Sequence, residues 1–227
     1  MSSSGTSFDP QLLQARWVLG GIDPRDFVEL AVSALEHGFD GIALRQLAGL
    51  SRLTPTDLGN LPAMVFADMG LRTIDREKAV DLLIARGEPH TSPVISALRE
   101  TCPGFSDRWK KHVAWWNGNS AGSYNDMSEF VDFVVEDVYE RGDLDQTRRI
   151  FQLLEKLLVG ATQETRNLIG IGFFETLQNF ASWRPHGNKV YEQFLGPMSK
   201  QIWIELRSTW AGKSSLMDVI RAERKAK

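Results

Sequence analysis

Helix starts and stops punctuate this chain throughout, and no run of strict apolar–polar alternation competes with them. The first backbone N–H groups of a helix lack intrahelical partners and need acceptors from neighbouring side chains. Asp23-Pro24-Arg25-Asp26 and Thr54-Pro55-Thr56-Asp57 each offer a capping oxygen, a proline whose missing N–H costs nothing there, and a carboxylate near the positive helix end. They predict helices over 24–37 and 55–69. Asp9 to Leu19 stops at Gly20-Gly21, Asp40 to Gly49 makes a short helix, 75–86 ends at Gly87, and Thr91-Ser92-Pro93 opens a small one before Pro103-Gly104. The class that follows is all-α, an irregular helical bundle.

The C-terminal half is more regular. Met127, Phe130, Val131, Val134 and Val138 recur at spacings of three and four, as do Thr147, Ile150, Phe151, Leu154, Leu157 and Leu158 after Gly142-Asp143. Gln163 to Phe180 is apolar around most of its circumference and reads as a buried central helix. A helix ending at Leu195-Gly196, another running through Trp210 and a charged tail helix from Ser215 complete a half that resembles solenoid-like helical hairpins, with no motif recurring at a fixed period. Between the halves, Asn117-Gly118-Asn119-Ser120-Ala121-Gly122-Ser123 predicts a loop or linker over 117–125. The expected organisation is a disordered tail at 1–7, an N-terminal helical region at 8–116, the linker, and a C-terminal helical region at 126–227.

Composition narrows the function. With Cys102 as the one cysteine, neither an internal disulfide nor a thiolate zinc cluster can form, which suits a reducing cytoplasm. The first residues lack the basic and apolar stretches of a secretory signal, and no window reaches membrane-spanning length. A net charge of −3 gives the molecule no general attraction to nucleic acid or to an anionic bilayer.

Sequence motifs for chemistry fail on inspection. Gly170-Ile171-Gly172 lacks the third glycine and the preceding strand of a dinucleotide fingerprint, and close helix packing explains it better. Gly212-Lys213-Ser214 lacks the upstream glycine of a phosphate loop. His37, His90, His112 and His186 have no metal-sharing partner at helical spacing, so neither a metal nor a cofactor is expected. Cys102 reads as a small buried residue. Two alternatives remain: an enzyme using Glu88, His90, Asp107 or His112 under the 117–125 loop, and a DNA-associated helical module built on 44–62, whose second helix carries no Arg or Lys for phosphate.

The charge layout of 126–145 is the most informative feature. Eight carboxylates face Arg141 alone, and Asp132, Glu136 and Glu140, spaced by four, stack on one helix face beside Glu129, with Asp143 beyond. Such like-charge spacing destabilises a helix by a few tenths of a kcal/mol per pair, so a basic partner would offset it. The plainer alternative is a solvated face partly neutralised by Arg148, Arg149 or the basic tail residues Arg221, Arg224, Lys225 and Lys227. The tryptophans are the second clue. Trp17, Trp203 and Trp210 read as core, whereas Trp109, Trp115, Trp116 and Trp183 lie by irregular segments where rings can stay partly exposed and anchor an interface.

Ala15-Arg16-Trp17-Val18-Leu19-Gly20, Ala34-Leu35-Glu36-His37-Gly38-Phe39-Asp40 and Leu44-Arg45-Gln46-Leu47-Ala48-Gly49-Leu50 resemble the leading segment of uncharacterised bacterial helical proteins. Gly142-Asp143-Leu144-Asp145, Ile150-Phe151-Gln152-Leu153-Leu154-Glu155, Arg166-Asn167, Phe174-Glu175-Thr176-Leu177-Gln178-Asn179 and Leu195-Gly196-Pro197 resemble a second such domain. Proteins of this kind look like immunity proteins that neutralise polymorphic or contact-dependent toxins. The resemblance spans about 12–90 and 128–206 and transfers no catalytic residue. It implies a small cytoplasmic bacterial protein acting by binding, which agrees with the acidic face; the expected function is occlusion of a basic, toxin-like protein partner through Glu129, Asp132, Glu136, Glu140 and Asp143, with Trp115 and Trp116 as aromatic contributors.

Overall fold

The computed structural model describes residues 8–50 and 54–208, apart from the side chains of residues 55, 56 and 58–60. The expected tail at 1–7, the tail helix from Ser215, and Trp210 lie outside the described residues. All regular structure among the described residues is helical, so the protein is all-α. None of the described helices is long and apolar enough to cross a membrane.

The chain divides into two compact units. The first takes the described residues up to His90 together with Lys110–Ser120, and the second takes Thr91–Trp109 with the described residues from Ala121 onward. The chain passes between units three times: once between Ser120 and Ala121, inside the expected 117–125 segment, and twice more, after His90 and after Trp109, which makes both units discontinuous. Neither half of the sequence is a unit by itself.

The first unit contains α1 (Pro10–Leu19), α2 (Phe27–Glu36), α3 (Ile42–Ala48), α4 (Pro55–Asp68) and α5 (Arg76–Ala85). Pro24–Asp26 folds as a 3₁₀ turn before α2, so the single helix expected over 24–37 has a tighter first turn. Asp9, Thr54 and Asp75 cap as their positions predict, with Thr54 and Asp57 completing a reciprocal capping box. Phe27, Ala31, Leu44, Leu47, Val65 and Phe66 form the core of α2–α4, with Trp17 packed against it.

Residues 117–122 form the loop that leads from the first unit into the second, and its first residues are held against the first unit. Arg76 donates to the Ala114 carbonyl at 2.6 Å and to Asn117 Oδ1 at 3.1 Å. Gly118 has a φ of +75°, and a Cβ there would stand 2.6 Å from Leu83 Cδ1. A Gly/Ser-rich composition that reads as mobile is here what lets the backbone press onto α1 and α5.

The second unit contains α6 (Pro93–Thr101), the start of α7 (Ser106–Trp115), α8 (Ser123–Phe133), α9 (Leu144–Leu158), α10 (Gln163–Asn167) and α11 (Thr176–Ser182). A 3₁₀ turn over Lys189–Phe194 and a last helix, α12, described over 197–208, follow. The α7 helix was not expected, because its Ser-Asp-Arg-Trp-Lys-Lys-His stretch offers only a narrow apolar stripe. Ser123 to Asn125, assigned to the loop, are the first turn of α8.

Two stretches are π-helical: Val134–Tyr139 continues α8, and Leu168–Glu175 joins α10 to α11. The wider turn lets neighbouring residues share the inward side, which is why Val134 and Val135 are both buried, as are Phe173 and Phe174. Ile171, expected to be buried in the central helix, is instead exposed. Gly170 and Gly172 do what close packing required: a Cβ on Gly172 would meet Met127 Cγ at 3.3 Å, and one on Gly170 would meet Ile202 at 3.4 Å. Phe130, Phe151, Phe173, Phe174 and Trp203 are fully buried around these segments, with Phe151 and Phe173 edge-on at 5.8 Å.

Candidate interaction site

The acidic residues of α8 and its π-helical extension come together as expected, but not as a free face. Arg108, at the start of α7, pairs with Glu136 and Asp137 and lies 3.5 Å from Glu129. Arg184, just beyond α11, also pairs with Glu136 and stands 3.7 Å from Glu140, which His186 meets at 3.2 Å. Arg141 takes the other oxygen of Asp137. Asp143 is spent locally, accepting the Gln146 N–H at 2.9 Å as the N-cap of α9.

This arrangement overturns the premise that the carboxylates of Glu129, Glu136, Glu140 and Asp143 await cations from another molecule. The offsetting charges belong to the same chain, and they come from Arg108 and Arg184 rather than from Arg148 or Arg149. Arg108 precedes α8 and Arg184 lies 48 residues beyond Glu136, so no spacing rule connects them. Asp137 joins the network because the π turn carries it round to Arg108, a displacement that an ideal 3.6-residue period does not anticipate.

Electrostatics sort the members. Burial alone would raise the Glu136 carboxyl, but the hydrogen bonds from Arg108 and Arg184 hold it below the ordinary value. Asp132 makes no ion pair among the described residues, and its carboxyl is pushed up to about 6, first by burial and then by the charges of Glu129 and Glu136. It is the member of the expected set whose ionised form the fold penalises.

The tryptophans divide sharply. Trp115 is 82% exposed and Trp183 89% exposed, with Trp116 at the margin of exposure. Trp109, expected to remain partly open, is 1% exposed and lies under the Arg99 guanidinium, whose carbon stands 4.3 Å from the ring centre. Trp115 belongs to the first unit and Trp183 to the second. Trp183 follows α11, and the next residue, Arg184, covers the Phe180 ring at 4.6 Å.

The residues considered for an enzymatic pocket have structural neighbours. Glu88 pairs with Arg16 at 3.2 Å and lies 3.6 Å from His90, while His112 is buried with its ring edge-on to Trp116. Asp107 lies exposed in the first turn of α7. Burial pushes the Cys102 thiol up to about 11, which the hydrogen bond from Gln146 only partly offsets, so it is a protonated core group and a poor nucleophile. The described residues contain no group of three or more His, Cys, Asp or Glu side chains placed to hold a metal ion.

Residues 95–211, just over half of the chain, match the family described as Domain of unknown function (DUF7674). No curated protein and no solved structure matches the chain.

Proposed function

Because the chain belongs to the DUF7674 family, a domain whose function is unknown, its activity has to be argued from its own residues, and we propose that it acts by binding another protein. The observation that carries this reading is the exposure of whole indole rings at Trp115 and Trp183. A tryptophan is large, rigid and mostly apolar, so keeping it in water forgoes a burial gain that an interface recovers. Within this class the proposal is an immunity-type protein, non-enzymatic, that occludes a cognate toxin. The resemblance of both halves to immunity proteins supports that choice. A basic partner was expected from free carboxylates, and with those oxygens committed internally that requirement is not part of the proposal.

The test is co-expression with the product of an adjacent gene in a host whose growth that product arrests. The chain restores growth and forms a complex measurable by isothermal titration. Trp115→Ala or Trp183→Ala weakens that complex at least tenfold, the usual scale for truncating an interface anchor. Absence of a complex, or affinity unchanged in both variants, overturns the proposal.

A further inference from the structure

A second surface of the C-terminal unit owes nothing to the tryptophans or to the arginine–carboxylate network. On α9, Arg148, Gln152 and Lys156 follow at four-residue intervals and form one ridge, with Phe151 and Glu155 beside them. The 3₁₀ turn and the extended Leu195 that follows it make the facing wall. Between them runs an open groove of ≈ 450 Å³. Phe151 and Phe194 lie at its base with ring centroids 5.6 Å apart, and Phe151 is backed by Tyr191, stacked at 6.1 Å.

The charge of this groove is one-sided. Glu155 is its carboxylate, and both oxygens are engaged: they accept from the Met198 N–H at 2.8 Å, the Ser199 N–H at 3.0 Å and the Ser199 hydroxyl at 2.7 Å, capping α12. Gly196 lies so close that a Cβ would stand 2.5 Å from Glu155 Cδ. Arg148 pairs with Asp145 at 2.9 Å on the open surface, where water screens the pair and a partner's carboxylate can compete for the guanidinium. Lys156 makes no ion pair among the described residues. Two cations therefore stand two helical turns apart, roughly 12 Å along the axis, above an aromatic base.

We infer that this groove docks a short acidic peptide segment of a partner protein, which lays one large apolar side chain over Leu195 and the edge of Phe194, the buried Phe151 ring backing them, while its carboxylates meet Arg148 and Lys156. The inference rests on the protein-binding reading and adds the chemistry of the partner. A span of roughly 12 Å corresponds to about four extended residues, so the carboxylates flank the apolar residue at short range. Gln152 and Gln193 lie on the two walls, where their amides serve the peptide backbone. Gln193 donates to the Val190 carbonyl at 2.8 Å, which leaves its own oxygen to accept.

The experiment selects a displayed random heptapeptide library on the intact chain and measures enriched peptides by fluorescence polarisation. The enriched sequences carry Asp or Glu on both sides of a large apolar residue. Arg148→Glu combined with Lys156→Glu lowers their affinity at least tenfold, and Gln152→Trp, which fills the groove, does the same. All three positions are exposed on α9, so circular dichroism stays that of the parent. Trp115→Ala and Trp183→Ala leave peptide affinity unchanged, which separates failure of the groove from failure of the tryptophan reading. Enrichment of neutral or basic peptides, no enrichment, or unaltered binding in the groove variants overturns the inference.

Discussion

Asp132 shows what a single ionisable group contributes when its neighbours are served first. Its carboxyl titrates near 6 in the fold because it is half-buried between Glu129 and Glu136, whereas in the unfolded chain it returns to the ordinary 3.8. Between those values the folded state holds a proton that the unfolded state has lost, so the stability it contributes is full below about 3.8 and falls as pH rises through about 6. Asp132→Asn removes that loss. Urea denaturation is expected to show the variant more stable by about 1 kcal/mol at pH 8, the shift being discounted for solvent screening of a half-exposed group, and equal to the parent near pH 4. Glu155 has the opposite sign: burial alone would raise its carboxyl, but the Ser199 hydroxyl and the Met198 and Ser199 N–H groups hold it below its ordinary value. Its contribution is present above the unfolded value and lost as pH falls through the folded one. Glu155→Ala is expected to cost about 1–2 kcal/mol at pH 7 by thermal or chemical unfolding, the scale of losing an N-terminal helix cap.

At the level of elements, the π-helical stretch Val134–Tyr139 decides how the acidic segment is used. It turns Val134 and Val135 both inward while bringing Glu136 and Asp137 together onto Arg108. Arg108 thus ties α7 to α8, and Arg184 ties the end of α11 to the same segment. Arg108→Ala leaves Glu136 and Asp137 without that neutralising charge in a partly buried setting. A loss of about 2 kcal/mol is expected, between the figures for exposed and fully buried pairs, and shows as a lowered urea midpoint with an unchanged slope. The apolar positions of this segment were readable from their spacing, because burial follows periodicity. The saturation of its carboxylates was not, because Arg108 and Arg184 reach it through tertiary packing of other elements.

For the molecule as a whole, the division into two discontinuous units changes where the chain can be cut. A fragment of residues 121–227 has the helices of the C-terminal region but lacks α6, Phe105 and Trp109, which line the core beside Phe130 and Phe133. It is expected to be poorly folded, whereas 91–227 contains the whole second unit and gives cooperative unfolding by circular dichroism. Equal cooperativity in both fragments would contradict the division. The glycine- and serine-rich 117–125 segment holds one of the three passages between units, at Ser120–Ala121, while the two after His90 and Trp109 carry no such signal. Gly118 within it also serves close approach to Leu19 and Leu83.

What the order of residues determined was local: caps, stops and apolar periods set the all-α class, placed most of the helices and identified Trp115 and Trp183 as rings beside irregular segments. These properties depend on neighbours within a turn or two of helix. Tertiary structure alone decided that Trp109 is buried, that Asp137 joins Glu136 on Arg108, that Asp132 is left with its charge disfavoured, and that α9 faces a 3₁₀ turn across an aromatic groove. Each of these depends on which distant side chain arrives at a site, and a carboxylate cannot signal in sequence whether the cation that meets it will come from its own chain.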